Sequence, residues 1–288
     1  MPVPEAVIAL EDVYYKYPTS QDWVLRGVNL EIYRGEFLGL VGTTSAGKTT
    51  LCQCFNGLIP HYTLGTYSGQ TLVEGKDTRE SDVASLSGAV GVVFQDADAQ
   101  LVMSSVLEEV MLGLTMRGMP GRQARDKARQ MLEKMGIAHL AERPPYALSG
   151  GQKQRAAIAA VMVMRPKILV LDEATSELDS LTVHRIFDLC QELNEQGETI
   201  VLVTHEMELL SQYADRIVLF DAGQVLLQGP PRQVFQQAET FHRVGVRLPQ
   251  VTELVQSLGG RLGAATLPLS VDEAQALIAG QGGNGDAH

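Results

Sequence analysis

Apolar residues in this chain fall mainly into short continuous runs. Phe37-Leu38-Gly39-Leu40-Val41, Ala89 to Phe94, Ile168 to Leu171, Thr199 to Val203 and Arg216 to Phe220 are of the length and composition expected of strands buried on both faces. Nearer the N-terminus, Val7 to Leu10 and Val28 to Ile32 are shorter β-like runs separated by turns. A glycine loop follows Val41, and a helix is predicted from Lys48 to Leu58. Between Gln100 and Pro166 the strand-like runs cease. Val106 to Met116 and Ala124 to Met135 repeat with helical period, and Pro144-Pro145 breaks the chain before another helix. Strands interleaved with helices predict an α/β fold with a largely parallel sheet.

After about Gln237 the pattern changes to short helices separated by Gly and Pro. Val251, Leu254, Val255 and Leu258 form one apolar helical face that stops at Gly259-Gly260. Ser270-Val271-Asp272-Glu273 is a capping-box sequence leading into Ala274, Leu277 and Ile278. The expected organisation is a main domain over 1–237 with a helical insertion at about 100–166, a helical extension over 238–280, and a disordered tail over 281–288.

Bulk properties narrow the function. The 288 residues are 45% hydrophobic and 20% charged, an ordinary globular balance. The longest uninterrupted apolar run, Ala156 to Met164, is about half of the ~20 residues needed to span a bilayer. Met1-Pro2-Val3-Pro4-Glu5 lacks the basic-then-apolar layout of a secretory signal. The expectation is a cytosolic chain whose membrane association runs through partners. A net charge of −11 argues against nucleic-acid binding. Cys52, Cys54 and Cys190 suit a reducing compartment, and Cys52-Gln53-Cys54 is read as packing, because positions i and i+2 do not share a helix face.

Three motifs carry chemistry. Gly42-Thr43-Thr44-Ser45-Ala46-Gly47-Lys48-Thr49 matches G-x-x-x-x-G-K-[ST] directly after a buried strand and at the start of a helix. Glycine curvature lets successive N–H groups and the helix N-terminus point at phosphate oxygens. Lys48 is placed to neutralise the β- and γ-phosphates and Thr49 to ligate Mg²⁺. Ile168 to Leu171 ends in Asp172-Glu173, paired carboxylates at the strand end where α/β sheets bind ligands. Asp172 is the candidate for holding Mg²⁺, and Glu173 the candidate base for the attacking water. Leu148-Ser149-Gly150-Gly151-Gln152 heads a helix with a second phosphate-sized cradle.

Together these three motifs resemble the ABC ATPase family, and the resemblance covers about residues 7 to 235. It implies a P-loop NTPase fold of the ABC ATPase type: a mixed or parallel sheet core, an antiparallel β subdomain, a helical subdomain and a small C-terminal helical extension. The implied activity is ATP hydrolysis with ATP and Mg²⁺ bound by the P-loop, Thr50 included. The signature residues Ser149, Gly150, Gly151 and Gln152 of one subunit are implied to close over the ATP of another. Tyr17 resembles the aromatic that stacks on adenine. Gln95 resembles the hinge glutamine that meets Mg²⁺ and water. Ser176-Glu177-Leu178-Asp179 resembles the loop that crosses the dimer interface, placing Asp179 at the nucleotide, and His205 resembles the switch histidine of the γ-phosphate. Family P-loops carry Gly where Ser45 stands, so this loop is expected to be stiffer or reshaped.

Within the family, Tyr17-Pro18, Asn56-Gly57-Leu58-Ile59-Pro60, Gln95 to Leu101 and the tail from Val244 to Ile278 resemble ATPase subunits of energy-coupling-factor (ECF) importers. That implies a second ATPase, identical or homologous, a membrane-embedded T subunit and a substrate-binding S subunit. The cargo class implied is a vitamin or transition-metal ion, and the place of work the cytoplasmic side of the membrane. The alternatives are the ATPase of a conventional importer fed by a binding protein, or a non-transport cassette such as an iron–sulfur assembly scaffold.

Overall fold

The computed structural model describes residues 5–257 and 267–282. Two sheets organise it. Strands β1 (Ala6–Lys16), β2 (Leu25–Tyr33), β4 (Thr66–Val73) and β5 (Lys76–Asp77) form an antiparallel sheet in the order β2-β1-β4-β5. Strands β3 (Phe37–Val41), β6 (Val90–Val93), β7 (Ile168–Asp172), β8 (Thr199–Val203), β9 (Arg216–Asp221) and β10 (Gln224–Gly229) form the second, ordered β10-β9-β3-β8-β7-β6. All its pairings are parallel except the β9–β10 hairpin.

The helices are α1 (Lys48–Phe55), α2 (Leu58–His61), α3 (Val83–Leu86), α4 (Val106–Met116), α5 (Gly121–Lys134), α6 (Gly150–Met162), α7 (Ser180–Glu195) and α8 (Met207–Tyr213). After them come α9 (Pro231–Phe235), α10 (Ala238–Val244), α11 (Gln250–Ser257) and α12 (Val271–Gly282). No helix among the described residues is long and apolar enough to cross a membrane.

The parallel strands read as unbroken apolar runs because both faces of their sheet are covered. Phe37, Leu169, Leu171, Ile200 and Leu202 join one core, shared with α4, α5, α6 and α7. Leu38, Leu40, Val170, Val201 and Val203 join the other, shared with α1 and the antiparallel sheet. The alternation follows from side chains leaving a strand on opposite faces.

β1 is longer than the expected Val7 to Leu10. Glu11-Asp12 breaks the alternation, Asp12 adopts φ 49°, and the register with β2 slips between Leu10 and Val13. This bulge lets Ile8, Leu10, Val13 and Tyr15 all stay buried. The helix expected to reach Leu58 stops at Phe55, since Gly57 at φ 76° turns the chain. Cys52 and Cys54 are both buried, although they lie on different faces, because α1 is enclosed from both sides. Burial pushes both thiols up, as it does Cys190.

The tail folds back on its own chain. Thr252 and Val255 are buried in α11, while Leu254 is half-exposed. The inward face is thus shifted from the expected Val251, Leu254, Val255 and Leu258. Thr252 can be buried because its hydroxyl donates to Pro268 O at 2.8 Å. At α12 the Glu273 N–H donates to Ser270 Oγ, as the capping-box sequence predicts, but the Glu273 carboxylate accepts from Leu269 rather than from Ser270 itself. Leu258, Gly259-Gly260 and residues 283–288 of the expected tail lie outside the described residues, and 281–282 belong to α12.

Candidate functional site

Four strands of the larger sheet end on one edge, and their order puts the candidate chemistry in a row. β3 delivers the glycine loop, β8 delivers Thr204-His205, β7 delivers Asp172-Glu173, and β6 delivers the Gln95 loop. Residues as far apart in the chain as Gly42 and His205 thereby meet within a row spanning two or three strand spacings of 4.7–4.9 Å, about 10–15 Å.

The loop from Gly42 to Gly47 is set by close backbone approaches. A Cβ on Gly42 would stand 2.0 Å from Phe220 O, so only glycine fits. Gly47 caps α1 in the left-handed region, φ 102°. Thr43 donates through Oγ1 to Asp221 at 3.0 Å, Ala46 N–H to Thr43 O at 3.2 Å, and Gly223 N–H to Ala46 O at 3.0 Å. Thr44, Ser45 and Thr49 are exposed toward the mouth, whereas Ala46 and Thr50 are buried.

Ser45 takes φ 66°, the region an L side chain enters at a cost. The sequence departure therefore leaves strain in a loop that otherwise keeps its turn. Ser45→Gly is expected to raise stability by about 0.5–1 kcal/mol, after the extra freedom of glycine in the unfolded chain is subtracted. A denaturation midpoint that fails to rise would count against strain here.

Lys48 is 4% exposed, and its ammonium donates to Gly42 O at 3.0 Å and Thr43 O at 2.8 Å. Its third partner is Glu173 Oε1, at 3.0 Å. His205 Nε2 approaches the same Oε1 at 3.6 Å, with the imidazole half in solvent. Glu173 sits at φ 49°, held there by its N–H bond to Val203 O at 3.0 Å. Backbone strain here falls on a carboxylate that faces both a lysine and a histidine.

Asp172 ends β7 fully buried, and neither carboxylate oxygen has a hydrogen-bond partner. Burial pushes its pKa up to about 6; the charge of Glu173 adds to the rise, and the Thr49 hydroxyl and Lys48 ammonium pull it back. A buried carboxylate with no better donor than the nearby Thr49 hydroxyl is costly unless a cation stands against it. With the Thr49 hydroxyl beside it, Asp172 offers oxygen ligands of the kind Mg²⁺ prefers, so the residues fit that ion.

Tyr17 is drawn to the same region. Its hydroxyl shares a hydrogen bond with Thr50 Oγ1 at 3.0 Å, and its ring meets Tyr15 edge-on at 5.1 Å. Half-buried, it borders the start of α1.

The second cradle stands apart. The loop residues Gly42, Thr43 and Thr44 line a cleft of about 510 Å³ with Thr204, His205, Met207 and Gly245 to Arg247. Gly150 lines a different cleft of about 250 Å³, with Gln95, Asp96, Asp98, Lys153 and Glu177. Ser149 caps α6, where its N–H donates to Gln152 Oε1 at 3.0 Å, and both Ser149 and Gly150 are exposed. Gln95 thus lines the cleft of the signature helix, while the strand that leads to it, β6, pairs directly with β7, which ends in Asp172. Asp179 is engaged with its own helix. Its two oxygens accept from the Thr182 N–H and hydroxyl at 3.0 and 2.8 Å, capping α7.

Sequence reasoning missed the ties between the Gln95 loop and the helical region. Gln154, buried in α6, donates to Phe94 O at 3.2 Å, and Lys153 pairs with Asp98 at 2.5 Å. Glu109, buried in α4, accepts from the N–H groups of Val102 and Met103, both at 2.7 Å. The available signal was a polar residue on an otherwise apolar helical face. Val246 and Arg247, in the first cleft, carried no signal at all.

Residues 25–176 match the ABC transporter family. A Pyrococcus abyssi protein named as an ABC transporter ATP-binding protein is 43% identical over 96% of this chain and 99% of its own length. The energy-coupling factor transporter ATP-binding protein EcfA of Methanocaldococcus jannaschii is 35% identical over 88% of this chain and 89% of its own. Among solved structures, CbiO1 from Clostridium perfringens, described as part of the ABC transporter complex cbiONQ, superposes with a TM-score of 0.69. It is 36% identical and covers 88% of this chain and 99% of its own. The dimeric cassette MJ0796, in a post-hydrolysis state bound to ADP and Pi, gives a TM-score of 0.71 at 30% identity, over 78% and 99%. With its glycine loop, paired carboxylates and signature helix on that shared fold, the chain belongs to the ABC transporter family as one of its ATP-binding, ATP-hydrolysing subunits.

Proposed function

We propose that this chain powers an ECF-type importer by hydrolysing ATP at sites completed by a second ATPase subunit, identical or homologous. The observation that carries the catalytic reading is Glu173 Oε1 lying 3.0 Å from Lys48 Nζ and 3.6 Å from His205 Nε2. In the proposed reaction the Gly42 to Thr50 cradle binds the phosphates, Lys48 moves its charge onto the β- and γ-phosphates, and Tyr17 takes the base. Glu173, released from Lys48, accepts a proton from the water whose oxygen bonds to the γ-phosphorus as the bond to the β–γ bridging oxygen breaks. His205 holds the γ-phosphate. Ser149, Gly150, Gly151 and Gln152 close on it from the other subunit, with Asp179 shaping the loop that crosses between subunits. Mg²⁺, held by Asp172, Thr49 and Gln95, would neutralise charge developing on the phosphate oxygens.

The ECF assignment rests on the likeness to EcfA and CbiO1. It brings a membrane-embedded T subunit, an S subunit that binds a vitamin or a transition-metal ion, and attachment at the cytoplasmic face of the membrane. Purifying the native complex and identifying its membrane subunits tests this. A small substrate-binding membrane protein beside a T subunit is expected, and a pair of channel subunits fed by a soluble binding protein would overturn it.

We assign 1–237 to the ATPase domain, with about 100–166 as its helical subdomain, and 238–280 to a dimerising extension. Leu254 and Val271 support the last role, since they stay 50% and 59% exposed after the tail has docked on its own chain. The double replacement Leu254→Asp with Val271→Asp is expected to keep MgATP binding and to weaken nucleotide-free association of the ATPase pair. Unchanged sedimentation would remove the dimerising role.

A further inference from the structure

Tyr146 is the most exposed large hydrophobic side chain among the described residues, at 85%. It occupies a single 3₁₀ turn, Pro145 to Ala147, three residues before the signature serine. The turn is stiff. Two prolines precede the tyrosine, Ala147 and Leu148 donate backward to Pro144 and Pro145 at 3.0 and 3.1 Å, and Pro145 and Leu148 are buried on either side. An aromatic ring is therefore held outward by a fixed backbone, with only two side-chain torsions to order on contact. Packing inside the chain does not use it.

Tyr17 leaves room for such a ring. Its own ring is committed edge-on to Tyr15, and its hydroxyl to Thr50. A purine stacked on Tyr17 offers its second face away from that subunit.

We propose that Tyr146 covers the outward face of the purine bound at the opposing subunit's P-loop, so that the base is sandwiched between Tyr17 of one subunit and Tyr146 of the other. This rests on the reading that the signature closes in trans. Distance along the chain fits. One step within the 3₁₀ turn and two of extended chain through Leu148 and Ser149 set Tyr146 up to about 9 Å back from the phosphate cradle, and a tyrosine side chain adds its own length. That offset matches the way the base trails the triphosphate. The ligand class is a purine nucleoside triphosphate, and the phosphates alone would not engage this residue.

The test uses the purified ATPase pair with Glu173→Gln in each subunit to stop turnover. Tyr146→Ala, Tyr146→Trp, Tyr17→Ala and Ser149→Ala are compared by the MgATP concentration that gives half-maximal closed dimer in sedimentation. ATP affinity of the separated subunits is measured alongside. Tyr146→Ala should need about tenfold more ATP for closure, the usual scale of one base–aromatic stack, with unchanged affinity in the separated subunit. Tyr146→Trp should close like the parent. Tyr17→Ala should lose a similar factor already in the separated subunit. Closure of Tyr146→Ala at the parent's ATP concentration, with Ser149→Ala impaired, would overturn the proposal alone. Normal closure by Ser149→Ala would overturn the trans reading on which it stands.

Discussion

Glu173→Gln is expected to slow steady-state ATP turnover by about 10²–10⁴-fold, the scale of losing a general base, while MgATP stays bound. The geometry makes the separation of binding from turnover sharp. Gln keeps the size of Glu and can follow the same backbone, so the φ of 49° and the bond to Val203 O are undisturbed. What changes is the charge facing Lys48 at 3.0 Å. That carboxylate holds the ammonium before nucleotide arrives and then competes with phosphate for it, so removing its charge frees Lys48 for the γ-phosphate. ATP affinity of the variant should therefore equal or exceed that of the parent, and the closed dimer should accumulate. Phosphate release and sedimentation on the same sample check both halves. Near-normal hydrolysis would remove Glu173 from the role of base, and loss of ATP binding would mean that the Lys48 pair is needed to build the loop.

The second large effect comes from mixing defects. Lys48→Ala removes the buried ammonium from the P-loop of its own subunit, and a charged hydrogen-bonding group of this kind is worth about 1.5–3 kcal/mol, or some 10–150-fold in affinity. Ser149→Ala damages the cradle that faces the other subunit. In a self-pairing chain each mutant homodimer carries two defective sites. A dimer with one mutant of each kind instead concentrates both defects in one site and leaves the other whole. Nucleotide trapping should thus return to about half of the parent level. Trapping no better than in either homodimer would mean that the two cradles do not belong to one composite site.

Much of this was legible in the sequence because each part obeyed a local rule. The parallel strands were visible as apolar runs, since burial on both faces removes alternation. The glycine loop was visible because Gly42 and Gly47 each satisfy a backbone demand that no other residue meets. β10 and the second half of β1 were not. The first is a half-exposed hairpin strand with mixed polarity, and the second lies beyond a bulge that resets the alternation. The site's row of loops was readable only as separate motifs, because strand order is a property of tertiary pairing. The reach of Val246 and Arg247 into the P-loop cleft depended on how the tail folds back, and no pattern within that segment announces it.

The glycine loop and Gly150 of the signature helix line separate clefts, and under the proposed function this has a kinetic consequence. If each active site must borrow its second half, free subunits hydrolyse ATP only on collision. Their specific activity then rises with concentration, and tenfold dilution below the association midpoint cuts the rate per subunit by about tenfold, as mass action requires. Subunits held side by side by a membrane assembly escape that dependence, because tethering replaces bulk concentration by a fixed local one. Dispersed copies would then idle at cellular levels, and fuel would be spent almost wholly where a transporter has gathered two of them.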